Sequence, residues 1–232
     1  NDSVYEYALS TAYDVSSASY TDSFSVSSQE NAPQGLAFSP DGLRFYVCGG
    51  GGNTVFQYSM STAWDISTAS YVASGTSIST PLGLTFNPSG TSVYVVASTT
   101  LWQYDLSTAW DITTASYVSQ SNVSAEDSAM KSIDFNSDGS KVFLLGDTND
   151  KVYQYSLSTA YDASTDSYDS VSVAVASPPN GISFGNSGTK LYVINQVAGI
   201  VYQYSVGIDS VGLGSGSFAS SDVGKTIDAN SG

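Results

Sequence analysis

Hydrophobic and polar residues recur in one order four times along the 232-residue chain. Each repeat has a stretch in which Ser or Thr alternates with Val or Tyr, a short strand that ends in a Gly-containing turn, and four consecutive apolar residues. Alternation with period two predicts a strand with one solvated face, whereas an apolar run between turns predicts a strand covered on both faces. The apolar runs are residues 45–48, 93–96, 142–145 and 191–194.

A further strand of the form apolar-aromatic-Gln-Tyr ends each repeat, and a copy with Glu in place of Gln stands at residues 4–7. All but the last of these strands lead into a twelve-residue stretch that opens with (Leu/Met)-Ser-Thr-Ala-(Tyr/Trp)-Asp. Its four copies are residues 9–20, 60–71, 106–117 and 157–168, and they begin 51, 46 and 51 residues apart. Four strands in about 49 residues are typical of a β-propeller blade. The strands that end the repeats are residues 55–58, 101–104, 152–155 and 201–204.

The sequence therefore predicts an all-β protein, a β-propeller of four-stranded antiparallel blades, with four blades favoured over five or over part of a larger ring. Four blades close if the alternating strand at residues 19–27 completes the sheet formed by residues 181–204. The strand at residues 4–7 then either belongs to a preceding blade or caps the ring. No part of the pattern predicts a helix.

The repeats predict one propeller domain over residues 1–205. Residues 206–232 are rich in Gly and Ser and leave the repeat pattern, so they are predicted to form a linker and the start of a further β module, either truncated or a docking tail.

The net charge of the chain argues against two classes of binding partner. The net charge is −15, from 21 acidic and 6 basic residues, and the basic residues are scattered, which argues against nucleic acid and against an anionic membrane surface. An acidic surface poor in Lys fits a salty or extracellular setting. No apolar run approaches eighteen residues, so membrane insertion is not expected. Cys48 stands alone in an apolar strand and is predicted to be a small buried side chain.

The sequence contains no His, which removes Ser-His-Asp catalysis and His-ligated zinc. Glu6, Glu30 and Glu126 lie at three different phases of the repeat, so they do not form the convergent carboxylate pair of a glycosidase. The repeated Asp residues are expected to accept hydrogen bonds from backbone N–H groups in turns. No catalytic residue is predicted, and the chain is expected not to be an enzyme. The repeated Asp residues are Asp14, Asp65, Asp111 and Asp162.

Asp147 and Asp150 are the candidates for a Ca²⁺ site, but they lack the spacing and the terminal Glu of an EF-hand loop. A solvated acidic turn is the favoured interpretation, so no cofactor is predicted, with Ca²⁺ as the alternative. The Gly-rich residues 49–52 are interpreted as a hairpin link rather than a phosphate-binding loop, because no Lys-Ser/Thr pair follows them.

One aromatic residue recurs in each twelve-residue stretch. Such a ring either stacks on the face of a sugar or packs against the adjoining blade, and packing is favoured. The repeated Gln residues are expected to be buried and bonded to the backbone of a neighbouring blade. The candidate sugar-stacking residues are Tyr13, Trp64, Trp110 and Tyr161, and the repeated Gln residues are Gln57, Gln103, Gln154 and Gln203.

Two segments resemble known proteins. The motifs LSTAWD, STASY and V-x-QY resemble tandem propeller repeats of marine bacteriophage and environmental virus proteins, and the Pro-Asp-Gly turn followed by Tyr-Val is similar to the YVTN and lactonase-like propellers. The segment DVGKTIDANSG resembles a short module of phage tail-fibre proteins. The resemblance covers about residues 3–205 for the repeats, and it implies an appendage at the surface of a virion or a cell, with no catalytic residues to transfer.

The predicted function is a non-catalytic structural or adhesive propeller of a virion appendage or extracellular surface protein, located at the virion surface or outside the cell. Its expected partners are other appendage subunits, copies of itself or cell-surface glycans. A carbohydrate-binding propeller lectin is the alternative. A lactonase-like hydrolase is the least favoured hypothesis, because it rests on analogy of fold.

Overall fold

The computed structural model describes residues 2–185, 187–195, 197 and 199–206, and in this part the chain is an all-β, four-bladed propeller. An N-terminal hairpin of two strands precedes the blades. Every blade is antiparallel, with its strands in chain order. The hairpin consists of β1 (Ser3–Leu9) and β2 (Ala18–Ser25), and the first blade of β3 (Pro33–Phe38), β4 (Arg44–Gly49), β5 (Thr54–Met60) and β6 (Ala69–Ser77).

The second and third blades have four strands each, whereas the described part of the fourth blade has three. The first strand of each blade is the innermost, and the four inner strands surround a common axis. The strands are β7 (Gly83–Phe86), β8 (Ser92–Ala97), β9 (Thr100–Leu106) and β10 (Ala115–Asn122), then β11 (Met130–Phe135), β12 (Lys141–Gly146), β13 (Lys151–Leu157) and β14 (Asp166–Ala174), then β15 (Pro179–Gly185), β16 (Lys190–Asn195) and β17 (Ile200–Ser205).

The predicted closure of the ring is wrong. The N-terminal alternating strand does not complete the fourth sheet, because β2 pairs with β1, from Ser3 opposite Ser25 to Leu9 opposite Ala18. The reason is local, since the twelve-residue stretch joins these two strands in a hairpin, as it joins β5 to β6, β9 to β10 and β13 to β14. The strand at residues 4–7 is therefore the partner of the N-terminal edge strand.

Each twelve-residue stretch contains a single 3₁₀ turn that the sequence pattern did not predict. The repeated Asp residue stands just before the turn, and its carboxylate accepts from the backbone N–H two residues later, as Asp14 does from Ser16 at 3.0 Å and Asp65 from Ser67 at 3.1 Å. The prediction that these residues are turn acceptors is confirmed. The turns are Val15–Ser17, Ile66–Thr68, Ile112–Thr114 and Ala163–Thr165.

Buried amides join consecutive blades, as predicted. Oε1 of Gln57 accepts from the N–H of Ile112 at 3.0 Å, and Oε1 of Gln103 accepts from the N–H of Ala163 at 2.8 Å. Both donors open the 3₁₀ turn of the next blade. A buried N–H without a partner is costly, so these bonds fix each blade against its neighbour.

The hairpin enters the same series of bonds. Gln203 of the fourth blade accepts from Val15 at 3.1 Å, and Glu6 accepts from Ile66 of the first blade at 2.9 Å. Gln154 donates to the carboxylate of Asp169 of its own blade at 2.6 Å, and whether it also bonds to the backbone of a neighbouring blade stays a prediction. The described part of the fourth blade contains no 3₁₀ turn that could present the equivalent N–H.

The core is a series of apolar layers between blades. Cys48 is fully buried in one of them, as predicted, and burial raises the pKa of its thiol far above its ordinary value.

Val206 ends the described segment, and the rest of the predicted linker and β module at residues 206–232 lies outside the described residues. Among the residues that the structure describes, no helix has the length and hydrophobicity needed to cross a membrane.

Candidate functional site

A cavity of about 750 Å³ lies at the axis of the propeller. Each inner strand is the edge strand of its sheet. Half of its N–H and C=O groups therefore have no partner strand within the sheet and lie on the side of the axis. Edge groups of this kind bind polar ligands readily. The lining includes Gln34, Leu36 and Ala37 of β3, Leu84, Thr85 and Asn87 around β7, Ser132, Asp134 and Asn136 around β11, and Ile182, Ser183, Tyr192, Ile194 and Val201 of the fourth blade.

The four junctions between inner strands are not equivalent. A Cβ atom at Gly83 of β7 would lie 2.7 Å from the Cα of Ser132, so the second and third blades meet backbone to backbone. Glycine is required there by the close approach. A Cβ at Gly181 of β15 would have, among the described residues, the Ile194 side chain of its own blade as its nearest neighbour, at 3.4 Å. The junction between the fourth and first blades is therefore open.

The open junction exposes an apolar face to the cavity. In the second blade, Tyr94, Val96 and Leu101 are fully buried beneath the third blade. The residues at the same repeat positions of the fourth blade are Tyr192, Ile194 and Val201, which line the cavity, and Ile194 is 49% exposed.

Leu36 shows the same effect on the opposite side of the junction. It is 45% exposed on β3, whereas its equivalent Leu84 on β7 is 4% exposed. The cavity thus extends into the junction between the first and fourth blades.

Polar departures from the repeat are concentrated on the inner strand of the third blade. This strand, β11, carries Lys131, Ser132 and Asp134. The other three blades have Gly at the position of Ser132 and Ala, Thr or Ser at the position of Asp134. Lys131 lies 3.6 Å from Asp147 and is not part of the cavity lining. Ser132 and Asp134 both line it.

These two side chains reach the free edge of the next inner strand. The hydroxyl of Ser132 accepts from the N–H of Ile182 at 3.1 Å, and Oδ2 of Asp134 accepts from the N–H of Phe184 at 2.8 Å. The other oxygen, Oδ1, accepts from the N–H of Phe135 at 2.8 Å. A carboxylate oxygen has two acceptor positions, so Asp134 retains the capacity to bind a water or a ligand.

Burial raises the pKa of Asp134 to about 6, although the N–H groups of Phe184 and Phe135 act in the opposite direction. Among the described residues that line the cavity, Asp134 is the one carboxylate. A carboxylate with a raised pKa in a cleft marks a candidate general base or acid. The sequence reasoning did not single out Asp134, and the signal that could have identified it is its departure from the repeat at a fixed position.

The four candidate sugar-stacking residues do not form one site. Trp110 and Tyr161 line the axial cavity, whereas Trp64 and Tyr13 are about half exposed and lie outside its lining. Each of the four has a positive φ, between 59° and 63°. Sugar stacking stays a prediction, and the cavity is the place where Trp110 and Tyr161 could provide it.

Three of these rings pack against aromatic residues of their own blade, and the ring of Trp110 also packs against the adjoining blade, where its centroid lies 6.5 Å from that of Tyr46. Trp110 packs on Phe86 of its own blade, with ring centroids 5.1 Å apart, and covers Gly90 at the β7–β8 turn. The turn brings Gly90 beneath the ring because the N–H of Trp110 bonds to its carbonyl at 2.9 Å. The contact with the preceding blade also includes a hydrogen bond, since the hydroxyl of Tyr46 donates to the backbone carbonyl of Trp110 at 2.7 Å.

The two Ca²⁺ candidates, Asp147 and Asp150, make different contacts. The carboxylate of Asp147 faces Lys131, and the carbonyl of Asp150 accepts from the N–H of Val175 at 2.9 Å. In the part of the chain that the structure describes, no group of three or more Cys, Asp and Glu residues is arranged to hold a metal. Ca²⁺ binding stays a prediction that none of these findings tests.

The glutamates do not converge on the axis. Glu30 is fully buried and accepts from the N–H groups of Ala32, Gly51 and Gly52 at 2.8, 2.8 and 2.9 Å. The Gly-rich link at residues 49–52 therefore does hold an anion, but the anion is a carboxylate of the same chain. Glu126 accepts from the hydroxyl of Tyr155 at 2.8 Å.

No protein-family model and no curated protein matches the sequence. Solved structures match its fold. A candidate 6-phosphogluconolactonase of Bacteroides uniformis has a TM-score of 0.54 and 12% identity, over 88% of this chain and 61% of that one. A second, from Bacteroides fragilis, has a TM-score of 0.53 and 12% identity, over 97% of this chain and 65% of that one.

A periplasmic gluconolactonase of Pseudomonas aeruginosa has a TM-score of 0.51 and 17% identity, over 84% of this chain and 53% of that one. At these identities the likeness shows the fold alone. The chain spans between about half and two thirds of the length of these structures.

These findings contradict two predictions: that the chain is a non-catalytic structural or adhesive module, and that it is not an enzyme. The structures that share its fold include two candidate 6-phosphogluconolactonases and a gluconolactonase. The resemblance to lactonase-like propellers is confirmed, whereas the resemblance to phage appendages and the virion location receive no support. The two predictions were based on the absence of His and of a convergent acidic pair, and a single Asp at an irregular position of the repeat meets neither criterion.

Proposed function

We propose that this protein is a lactonase-type hydrolase that opens a cyclic ester in its axial cavity, with Asp134 as general base. The observation that carries the proposal is the position of Asp134, a partly enclosed carboxylate with a pKa near 6 on the wall of the cavity. The likeness of the fold to named lactonases supports the same reaction class.

The proposed reaction needs one proton acceptor and one water molecule. Asp134 takes a proton from the water as the water oxygen bonds to the carbonyl carbon of the lactone. The tetrahedral intermediate then collapses, the ring C–O bond breaks, and the departing ring oxygen receives the proton from Asp134. The product is a hydroxy acid. A base with a pKa near 6 is largely ionised at neutral pH and still returns its proton readily.

The free edges of the inner strands supply donors for the developing oxyanion. Ile182 and Phe184 donate across the junction to Ser132 and Asp134, which shows that N–H groups at this phase of an inner strand point away from its own sheet. By the shared register, the N–H group of Leu36 points in the same way into the open junction between the first and fourth blades. Fixed backbone dipoles aimed at a developing negative charge stabilise a transition state strongly.

The same proposal includes an extracellular or periplasmic location. It is supported by the acidic composition, with 21 acidic and 6 basic residues, and by the periplasmic location of the gluconolactonase of similar fold.

The test is a lactone-hydrolysis assay in a pH-stat, corrected for spontaneous ring opening, on a panel of γ- and δ-lactones. We expect Asp134→Asn to reduce kcat by about 100-fold or more, since loss of a general base removes a factor of 10²–10⁴. The wild-type kcat/KM should fall below about pH 6 as Asp134 becomes protonated. Asp138→Asn, which changes an exposed turn carboxylate outside the cavity lining, is the matched control. Equal rates for wild type and Asp134→Asn would overturn the proposal.

A further inference from the structure

The axial cavity has two chemically different walls. One wall carries the polar side chains of β7 and β11, among them Thr85 and Asp134. The other wall lies at the open junction between the first and fourth blades and carries Leu36, Ile194 and Val201. A ligand that fills the whole cavity therefore contacts a polar and an apolar surface at once.

The apolar wall is unusual for this protein. At the other junctions, the side chains at the same repeat positions are covered by the next blade, as Val96 and Leu84 are. Leu36 and Ile194 retain about half of their surface exposed. An apolar group placed between them would remove this surface from water, which is favourable in proportion to the area covered.

The cavity is large enough to hold a ligand that extends beyond a single lactone ring. Its volume of about 750 Å³ lies in the upper part of the range, roughly 300–1,000 Å³, of cavities that hold drug-sized molecules. A small lactone ring placed beside Asp134 would leave the part of the cavity between Leu36 and Ile194 unfilled.

Charge selects against an anionic substituent. None of the described residues that line the cavity is Lys or Arg, and the lining contains the carboxylate of Asp134. The chain as a whole carries a net charge of −15. A phosphate group would lose its hydration in the cavity without gaining a cationic partner.

We propose that the substrate class is an uncharged lactone with an aliphatic substituent, whose ring lies against Asp134 and whose chain lies between Leu36 and Ile194. This inference rests on the proposed lactonase function for the position of the ring. The apolar wall and the lack of a cation among the described lining residues carry the remainder.

Binding can be measured separately from turnover with γ-lactams, which resist hydrolysis and carry alkyl chains of zero, two, four and six carbons. Isothermal titration calorimetry on the full chain should show affinity rising about threefold to fourfold for each methylene, the factor that corresponds to about 0.8 kcal/mol per buried CH₂. The combined variant Leu36→Ser and Ile194→Ser should flatten this series and leave the unsubstituted lactam unchanged. Leu43→Ser, which alters a leucine outside the cavity lining, should retain the series.

The outcomes separate the two proposals. Affinity that does not depend on chain length, or tighter binding of 6-phosphogluconate than of the six-carbon lactam, would overturn the substrate class even if simple lactones are hydrolysed. A steep chain-length series together with unchanged turnover in Asp134→Asn would support recognition of the aliphatic group and refute the catalytic role of Asp134.

Discussion

The second and fourth blades have similar apolar residues at equivalent positions of their second and third strands, yet this face is packed in one blade and borders a cavity in the other. In the second blade, Tyr94, Val96 and Leu101 are buried beneath the inner strands of the third blade. In the fourth blade, the equivalent residues face the axial cavity, because β15 does not pack closely on β3. An apolar face thus becomes part of the core or the wall of a cavity according to whether an inner strand lies against it.

The difference indicates that the repeat and the site depend on separate sets of residues. Repeated residues, such as the bonded amides of Gln57 and Gln103, hold consecutive blades together. The cavity depends on departures from the repeat, namely Asp134 and the open fourth junction. Substitutions at equivalent positions of the two blades should therefore have different effects.

The largest expected difference concerns the turn glycines Gly90 and Gly188, both with positive φ. A Cβ at Gly90 would overlap the ring of Trp110, whereas a Cβ at Gly188 would meet no described atom within 4 Å. We expect Gly90→Ala to lower the free energy of unfolding by about 3–4 kcal/mol, from backbone strain and overpacking together. Gly188→Ala should cost only about 1 kcal/mol, from the backbone strain. Urea unfolding followed by fluorescence measures both, and equal losses would show that the ring does not constrain the turn.

The next difference concerns the inner-strand glycines. Gly83→Ala should destabilise the protein by about 2–3 kcal/mol, because the new methyl group would meet the backbone of Lys131 and Ser132 and separate the second and third blades. Gly181→Ala should change the free energy of unfolding by less than about 1 kcal/mol, since there is space on the cavity side. Thermal unfolding of the two variants beside wild type is sufficient. A large loss for Gly181→Ala would mean that the fourth junction is closed in solution.

The smallest expected effect is the dependence of stability on pH through Asp134. Its pKa is raised by burial to about 6 in the folded protein, above the ordinary value of 3.8. The folded state therefore favours the protonated acid, so this contribution to stability is fully present below about pH 4 and is lost as the pH rises through about 6. The loss should be about 2 kcal/mol, less than the full shift implies because Asp134 borders the cavity.

Urea unfolding of wild type and Asp134→Asn at pH 4 and pH 7 isolates this effect. The difference in stability between the two proteins should shift by about 2 kcal/mol in favour of the variant at pH 7. A shift in the opposite direction would show that the hydrogen bonds from Phe135 and Phe184 outweigh burial. Carboxylates whose pKa is lowered, such as Asp169, are present in both proteins and cancel in the comparison.

Much of the fold could be predicted from the sequence, because blade structure depends on local patterns. Period-two alternation, apolar runs and Gly-containing turns specify strands and hairpins within one repeat. The repeated Asp residues acted as predicted, and so did Gln57, Gln103 and Gln203, since their partners lie at fixed positions in the same repeat, the next repeat or the N-terminal hairpin. The sequence by itself therefore determined the all-β propeller, its repeat and most of the contacts between consecutive blades.

Only the tertiary structure decided how the ring closes and what its axis contains. The edge strand β2 could pair either with β1 or with the sheet of the fourth blade. In the structure it pairs with β1, which is joined to it by a short local connection. Asp134 acquires its raised pKa from burial between β11 and β15, which are brought together by the ring and not by the sequence pattern around Asp134. The apolar wall at Leu36 and Ile194 likewise exists because two distant blades fail to pack. A gap between strands far apart in the chain leaves no local pattern in the sequence, and the proposed site lies at such a gap.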